Sequence, residues 1–349
     1  MSLPQHILVM RFSALGDVAM VVPVLRILRQ TYPELKITVL SRPFFNPLFE
    51  FIPNVNFISA DLKKEHKGLR IFKLGSQVKA TKIDAVADLH DVLRTKMLSV
   101  YFRLHGISVK TIDKGRKEKK ALVSGNPKSF KQLKTTHQRY AEVFAQLGYP
   151  ISLENYSPPR KPEIPEKFRV FLADASKNII GIAPFAAHEG KMYPPDLMKK
   201  LLKILEKSGN YKILLFGGGA HEIKQLNVWE KEVEHCVNVA GKLSFSDELR
   251  LISNVDAFIS MDSGNGHLAA IFGIPVLTLW GVTHPFAGFA PFQQDEKNQL
   301  TADRKKYPLI PTSIYGNKFP PGYKNAMRTI SPEKIAAELA RVLKNIKKN

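Results

Sequence analysis

The sequence predicts an α/β protein made of two doubly wound, Rossmann-like domains. Short apolar runs alternate with amphipathic segments, the pattern of a mostly parallel sheet covered by helices. The pattern restarts after "SPPRKPEIP" at 157–165, whose four prolines can continue neither strand nor helix and mark a linker. The length of 349 residues exceeds one ordinary core and suits two domains of about 150 residues each.

In the first half, residues 6–11, 36–40, 55–59, 84–88 and 107–111 read as strands. Segments 18–31, 68–80, 92–104 and 130–147 carry apolar residues at helical spacing. In the second half "NIIGIAPF" (178–185) reads as a buried strand. "PPDLMKKLLKILEKSGN" then reads as a helix with proline at its start and glycine near its end. Strands are expected at 211–216, 256–261 and 275–280, and helices at 221–232, 246–253 and 265–272. "SPEKIAAELARVLKNIKKN" closes the sequence as an amphipathic helix with a basic tail.

Hydrophobic content of 44% and charged content of 24% are those of a globular protein. The single cysteine, Cys236, excludes an internal disulfide framework and fits a reducing cytoplasm. Residues 1–12 lack the apolar core and cleavage site of a signal peptide. No run approaches the ~20 apolar residues of a membrane span. A cytoplasmic protein is expected, resting at most on a membrane surface. The net charge of +21 is unusual, and two thirds of it falls in residues 1–160, with 26 Lys/Arg against 12 Asp/Glu. Ten basic and two acidic residues lie between Arg103 and Lys134. Such a field suits an acidic substrate, an anionic membrane surface or nucleic acid, although a charge run is commonly just a solvated face. Nucleic acid is disfavoured, because no recognition helix or platform of spaced aromatics is visible.

Four loops follow predicted strands, where open α/β sheets bind ligands. "SALGD" (13–17) sets Asp17 in the first turn of a helix, where an aspartate either does chemistry or caps. It is not the G-x-G-x-x-G turn of dinucleotide-binding enzymes, which argues against an oxidoreductase. "PFAAHEGKMYP" (184–194) offers His188, Glu189 and Lys191, and "FGGGAHE" (216–222) offers His221 and Glu222. "MDSGNGHLAAIFGIP" (261–275) holds Asp262, Ser263, Gly264 and His267 at a helix start. Its small residues and free N–H groups suit a phosphate or diphosphate, with Lys191 adding a point charge. The structural alternative is that Asp262 and Ser263 merely cap the helix. The histidines lie on separate loops without metal-ligand spacing, so neither metal nor cofactor is expected. "DSGNG" (262–266) does not meet the glycine spacing of a hydrolase nucleophile elbow.

"ILVMRFSALGDVAMVVPVLRILRQTYPELKITVLSR" and "AFISMDSGNGHLAAIFGIPVLTLWGVTHP" resemble the two signature regions of the bacterial heptosyltransferases of lipopolysaccharide core synthesis, glycosyltransferase family 9. "AVADLHDVLRT", "HQRYAEVFAQLG", "IGIAPFAAHEGKMYP" and "MRTISPEKIAAEL" follow in matching order. The resemblance implies a GT-B fold, two Rossmann-like domains facing a cleft. Residues 1–160 would bind the acceptor and 166–328 the nucleotide sugar, with 329–349 a helix packing back on the first domain. It implies inverting, metal-independent transfer from a nucleotide sugar, ADP-heptose being the family default, to an anionic lipopolysaccharide core acceptor. Peripheral contact with the inner membrane would accompany it. By similarity Asp17 matches the catalytic base, Lys191 a lysine on the donor diphosphate, and Glu222 an acid near the ribose. Asp262, Ser263, Gly264 and His267 match the donor loop. The sequence departs at Asp88-Leu89-His90-Asp91, where many relatives have Asp-x-Gln-Gly, and in lacking cysteines before the terminal motif. A nucleotide-sugar-binding protein of the same fold without activity is the alternative from another class.

Overall fold

The computed structural model describes residues 3–172 and 177–346. In chain order the elements of the first half are β1 (His6–Met10), α1 (Leu15–Ala19), α2 (Val21–Thr31), β2 (Lys36–Ser41), α3 (Asn46–Phe49) and β3 (Val55–Ser59). They continue with α4 (Ile71–Lys79), β4 (Ala85–Asp88), α5 (Leu93–Leu104), β5 (Ser108–Thr111), α6 (Arg116–Leu122) and α7 (Thr136–Ala145). The second half holds α8 (Glu166–Arg169), β6 (Asn178–Ala183), α9 (Pro195–Lys207), β7 (Tyr211–Leu215), α10 (Ala220–Glu232) and β8 (Cys236–Asn238). Then come α11 (Phe245–Ile252), β9 (Ala257–Met261), α12 (Gly264–Ile271), β10 (Val276–Trp280), β11 (Gln299–Thr301) and α13 (Pro332–Ile346).

The chain forms two compact units, residues 1–114 with 135–159, and residues 115–134 with 160–349. The first holds a parallel sheet in the order β3-β2-β1-β4-β5, the second a parallel sheet in the order β11-β10-β9-β6-β7-β8. Both are doubly wound, and the order reverses between β1 and β4 in one and between β6 and β9 in the other. The central strands carry continuous apolar runs because helices cover both faces: β9 and β10 are buried throughout, and β1 is buried from Ile7 onward. In α2 the buried residues Val21, Val22, Val24, Leu25, Ile27 and Leu28 make one wide stripe against the sheet.

The expected helix over 18–31 is two helices that meet at Met20. The one expected from 130 begins at Thr136. There the Thr135 hydroxyl accepts the Gln138 N–H (3.1 Å), and the Gln138 side-chain oxygen Oε1 accepts the Thr135 N–H (2.8 Å). This reciprocal capping box fixes the start. Helices α3, α6 and α8 and the short strands β8 and β11 lie outside the expected elements.

Two domain boundaries differ from expectation. Residues 115–134 belong to the second unit, because Leu122, Phe130 and Leu133 pack with Phe286, Ala287 and Phe289. The Leu133 N–H donates to the Phe286 carbonyl (2.9 Å), and the Arg304 guanidinium lies 3.4 Å from the Phe130 ring centre. The charge ledger changes with it: the first unit carries 18 Lys/Arg against 11 Asp/Glu, net +7, and the second 34 against 20, net +14. The terminal helix, expected on the first domain, is built into the second unit. Ile335, Leu339, Val342 and Leu343 share a core with Met198, Leu201, Leu202 and Leu205 of α9. The chain enters α13 from Met327 and Ile330, already inside that core, so its apolar stripe is buried where it starts. Residues 347–349, the basic tail of that expected helix, lie outside the described residues. Among the described residues no helix is long and apolar enough to cross a membrane.

Candidate functional site

Each sheet presents a charged pair at the carboxyl edge beside its reversal of strand order, the place where α/β sheets bind ligands. In the first unit Arg11 follows β1 directly and is buried, with three fixed contacts. Its Nε donates to the Ser13 carbonyl (2.7 Å), its Nη1 to the Leu89 carbonyl beyond β4 (2.6 Å), and its Nη2 pairs with Asp17 Oδ2 (2.7 Å). The guanidinium thereby ties the two strands of the reversal together and orients the aspartate. Oδ2 also accepts the Ala14 N–H (3.2 Å) at the start of α1, so Asp17 does cap its helix. Capping occupies only that oxygen: among the described residues no hydrogen bond engages Oδ1. The Tyr140 hydroxyl, from α7, donates to the Asp17 carbonyl (3.1 Å) and fixes the same turn. Burial raises that phenol above its ordinary range.

His90, two residues past β4, closes the arrangement. Its Nδ1 accepts the Phe12 N–H (3.3 Å), which leaves the ring proton on Nε2, 3.3 Å from Ser13 Oγ. Burial, reinforced by the charges of Arg11 and Lys114, pushes its pKa down to about 3, so the imidazole is neutral. Asp88 is wholly buried and its Oδ1 accepts the N–H groups of His90 (2.9 Å) and Asp91 (3.0 Å). The loop that departs from "DxQG" is thus rigidly built.

In the second unit Lys191 follows β6 and its Nζ lies 2.7 Å from Asp262 Oδ2, at the end of β9. Glycines seat it. A Cβ on Gly316 would stand 2.5 Å from Lys191 Cγ, and one on Gly190 2.5 Å from Val282 Cγ2. The Gly190 carbonyl accepts the Val282 N–H (2.9 Å), which fastens the lysine loop to the end of β10. Ser263 stands at the N-cap of α12 but caps nothing; its Oγ lies 3.2 Å from Ser260 Oγ. The purely capping alternative for Asp262 and Ser263 is therefore not what the molecule does, since one carboxylate pairs with lysine and the hydroxyl faces another serine. Gly264 opens α12, and His267 is buried in its first turn. Glu222, in the first turn of α10, accepts the Gly218 N–H (2.8 Å) and stiffens the triple-glycine loop after β7.

The structure brings Lys191 and Asp262 together with Ser263 next in chain, and sets Glu222 on the neighbouring loop after β7. His188 and His221 are exposed. Sequence reasoning missed Arg11, Tyr140 and the glycines that seat Lys191. Only Arg11 left a signal, a cation placed directly after the apolar run Ile7–Met10. Among the described residues no group of three His, Cys, Asp or Glu side chains is placed to hold a metal ion.

Comparison with known proteins agrees with this architecture. Residues 71–318 match the family described as glycosyltransferase family 9 (heptosyltransferase). The chain is 24% identical over 298 residues to the lipopolysaccharide core heptosyltransferase OpsX of Haemophilus influenzae, covering 81% of this chain and 80% of that protein. It is 27% identical over 297 residues to lipooligosaccharide heptosyltransferase 2 of the same organism, covering 80% and 84%. In fold it resembles a family 9 glycosyl transferase from Veillonella parvula, at a TM-score of 0.75 and 21% identity over 99% of each chain. It also resembles the Escherichia coli heptosyltransferase WaaC solved with ADP-2-deoxy-2-fluoro heptose, at a TM-score of 0.63 and 18% identity, covering 96% and 99%. These neighbours have the GT-B fold, which the two parallel-sheet units fit. The chain is a glycosyltransferase and belongs to glycosyltransferase family 9, the heptosyltransferases.

Proposed function

We propose that this enzyme transfers heptose from ADP-heptose to a lipopolysaccharide core acceptor, with inversion and without a metal, and that Asp17 is the base. The acceptor hydroxyl oxygen attacks the anomeric carbon, its proton passes to Asp17 Oδ1, and the bond to the diphosphate oxygen breaks. ADP departs carrying the negative charge, which Lys191, the Ser263 hydroxyl and the N–H groups opening α12 would steady. Glu222 would meet the ribose and His267 would back the donor loop. The carrying observation is the presentation of Asp17: one oxygen held by Arg11 and the Ala14 N–H, the other left for a proton.

The relatives' names support the sugar and the pathway, and the WaaC neighbour was solved with an analogue of that donor. For the acceptor, the net charge of the first unit is a weaker argument than the sequence suggested, since the basic run 115–134 belongs elsewhere. Of the cations near His90 at the sheet edge, Lys114 and Arg42 are the local support for acidic acceptor groups, Arg11 being buried and held by Asp17. Such an acceptor is lipid-borne, so the work would be done at the cytoplasmic face of the inner membrane.

Purified protein incubated with ADP-heptose and a heptose-deficient core acceptor should add one heptose by mass, equally with and without EDTA. The new anomeric centre should have the configuration opposite to the donor's. Transfer from UDP-, GDP- or CMP-sugars but not from ADP-heptose would overturn the donor. Loss of activity in EDTA with recovery in Mg²⁺ would overturn the metal-free step.

A further inference from the structure

Single exposed apolar side chains are ordinary. The outer faces of α4 and α5 differ, because theirs are aligned. Successive residues of a helix turn by about 100°, so Leu93, Val100 and Leu104 of α5 fall within about 40° of one another. All three are exposed, Leu93 at 75%, Val100 at 52% and Leu104 at 81%. The stripe lies opposite the buried residues Leu98 and Phe102, so it is the outermost line of the helix. Helix α4 packs beside α5 closely enough that a Cβ on Gly75 would stand 2.9 Å from Tyr101 Cδ1. Across that seam the Phe72 ring lies 6.2 Å from Tyr101, and Leu69, just before α4, is 76% exposed. The apolar surface therefore continues from one helix onto the next.

The two helices that carry it bear charges of one sign. Residues 67–79 and 93–105 contain seven Lys/Arg and no Asp/Glu. Arg94 and Arg103 flank the leucine stripe on either side, and Arg70 and Lys73 flank Phe72; all four are exposed. Lys96 lies 3.4 Å from Asp91 and Lys73 3.8 Å from Glu65, so the arginines Arg70, Arg94 and Arg103 carry the argument. A stripe of leucine, valine and phenylalanine edged by long cationic side chains is the design of a surface that lies in a lipid interface. The apolar residues enter the acyl boundary while the cations reach anionic headgroups. A soluble protein partner of mixed charge would not require two neighbouring helices without a carboxylate of their own.

We propose that the outer face of α4 and α5 is the surface by which this protein docks on an anionic lipid bilayer. The proposal locates the membrane contact that a lipid-borne acceptor would require, but its test needs no transfer activity and so fails separately from the reaction proposed above. The full-length protein should co-float with vesicles of phosphatidylcholine and phosphatidylglycerol at 3:1, bind pure phosphatidylcholine at least tenfold more weakly, and lose binding as salt rises. Leu93→Ser/Val100→Ser/Leu104→Ser should bind the mixed vesicles at least tenfold more weakly with an unchanged circular dichroism spectrum and melting temperature. Arg94→Gln/Arg103→Gln should weaken binding about fivefold per cation removed. Wild-type protein that ignores anionic vesicles, or an apolar triple variant that binds as wild type does, would overturn the assignment. So would a wild-type dimer in sedimentation that the triple variant converts to monomer, since the face would then be covered by a second copy.

Discussion

The carboxyl edges of the two sheets are built alike and charged in reverse. Each sets an ion pair of 2.7 Å beside the reversal of strand order, one partner supplied from either side of it or held across it. In the first unit the better-buried member is the cation: the Arg11 side chain is 9% exposed and Asp17 28%. In the second it is the anion, with Asp262 at 8% and Lys191 at 15%. The buried partner positions and the outer partner is offered, so one edge presents a carboxylate and the other an ammonium. In the reaction proposed above, the carboxylate would accept the proton and the ammonium would hold the diphosphate. The same local device presents opposite charges by exchanging which one is tied down.

Asp17→Asn breaks the first half of this comparison and should have the largest effect. Asparagine still accepts the Ala14 N–H but takes no proton at neutral pH, so turnover at saturating substrates should fall by roughly 10²–10⁴. The stability cost should be at most about 2 kcal/mol, because Arg11 keeps its two carbonyl acceptors. Near-normal turnover would reduce Asp17 to a cap.

Lys191→Met breaks the second half. The methionine keeps much of the stem packed against Gly316 and removes the charge, so donor affinity by calorimetry should fall roughly 10- to 100-fold, the worth of a charge-assisted hydrogen bond. A dissociation constant within twofold of wild type would take the lysine out of the donor site.

Acid should distinguish the edges through His90. Its folded pKa of about 3 lies below the ordinary 6.5. Between those values the unfolded chain therefore binds a proton that the folded one refuses, and stability falls as pH drops from about 6.5 toward 3. From pH 7 to pH 5 this amounts to about 2 kcal/mol. His90→Gln should show a correspondingly smaller loss in denaturant melts at the two pH values. Equal acid sensitivity in both proteins would mean that the imidazole is not held neutral.

The smallest effect belongs to Ser263→Ala. The hydroxyl caps nothing, so thermal stability should change by less than about 0.5 kcal/mol, whereas a true N-cap would lose about 1. Donor affinity should fall two- to tenfold, the worth of one neutral hydrogen bond. A stability loss without an affinity change would restore the capping role.

Sequence by itself determined the alternation of strands and helices, the break at 157–165 and the loops that carry Asp17, Lys191, Glu222 and Asp262. These are legible because strand burial and helix amphipathicity are periodic in the chain, and because phosphate-compatible loops need small residues at fixed offsets. It could not show that 115–134 leaves the first unit for the second, because "RKEKKAL" reads as a solvated basic run until Leu122, Phe130 and Leu133 find Phe286 and Ala287. Nor could it place α13, whose apolar stripe would suit either domain; the burial of Met327 and Ile330 just before it made the choice. The pairings of Arg11 with Asp17 and of Lys191 with Asp262 were likewise decided by tertiary structure. The second joins residues 71 positions apart in the chain, and no periodicity or spacing encodes which charge at a sheet edge is buried and which is offered. That depends on neighbours brought in by strand order, the three-dimensional fact that turns a capping aspartate into one with a free oxygen.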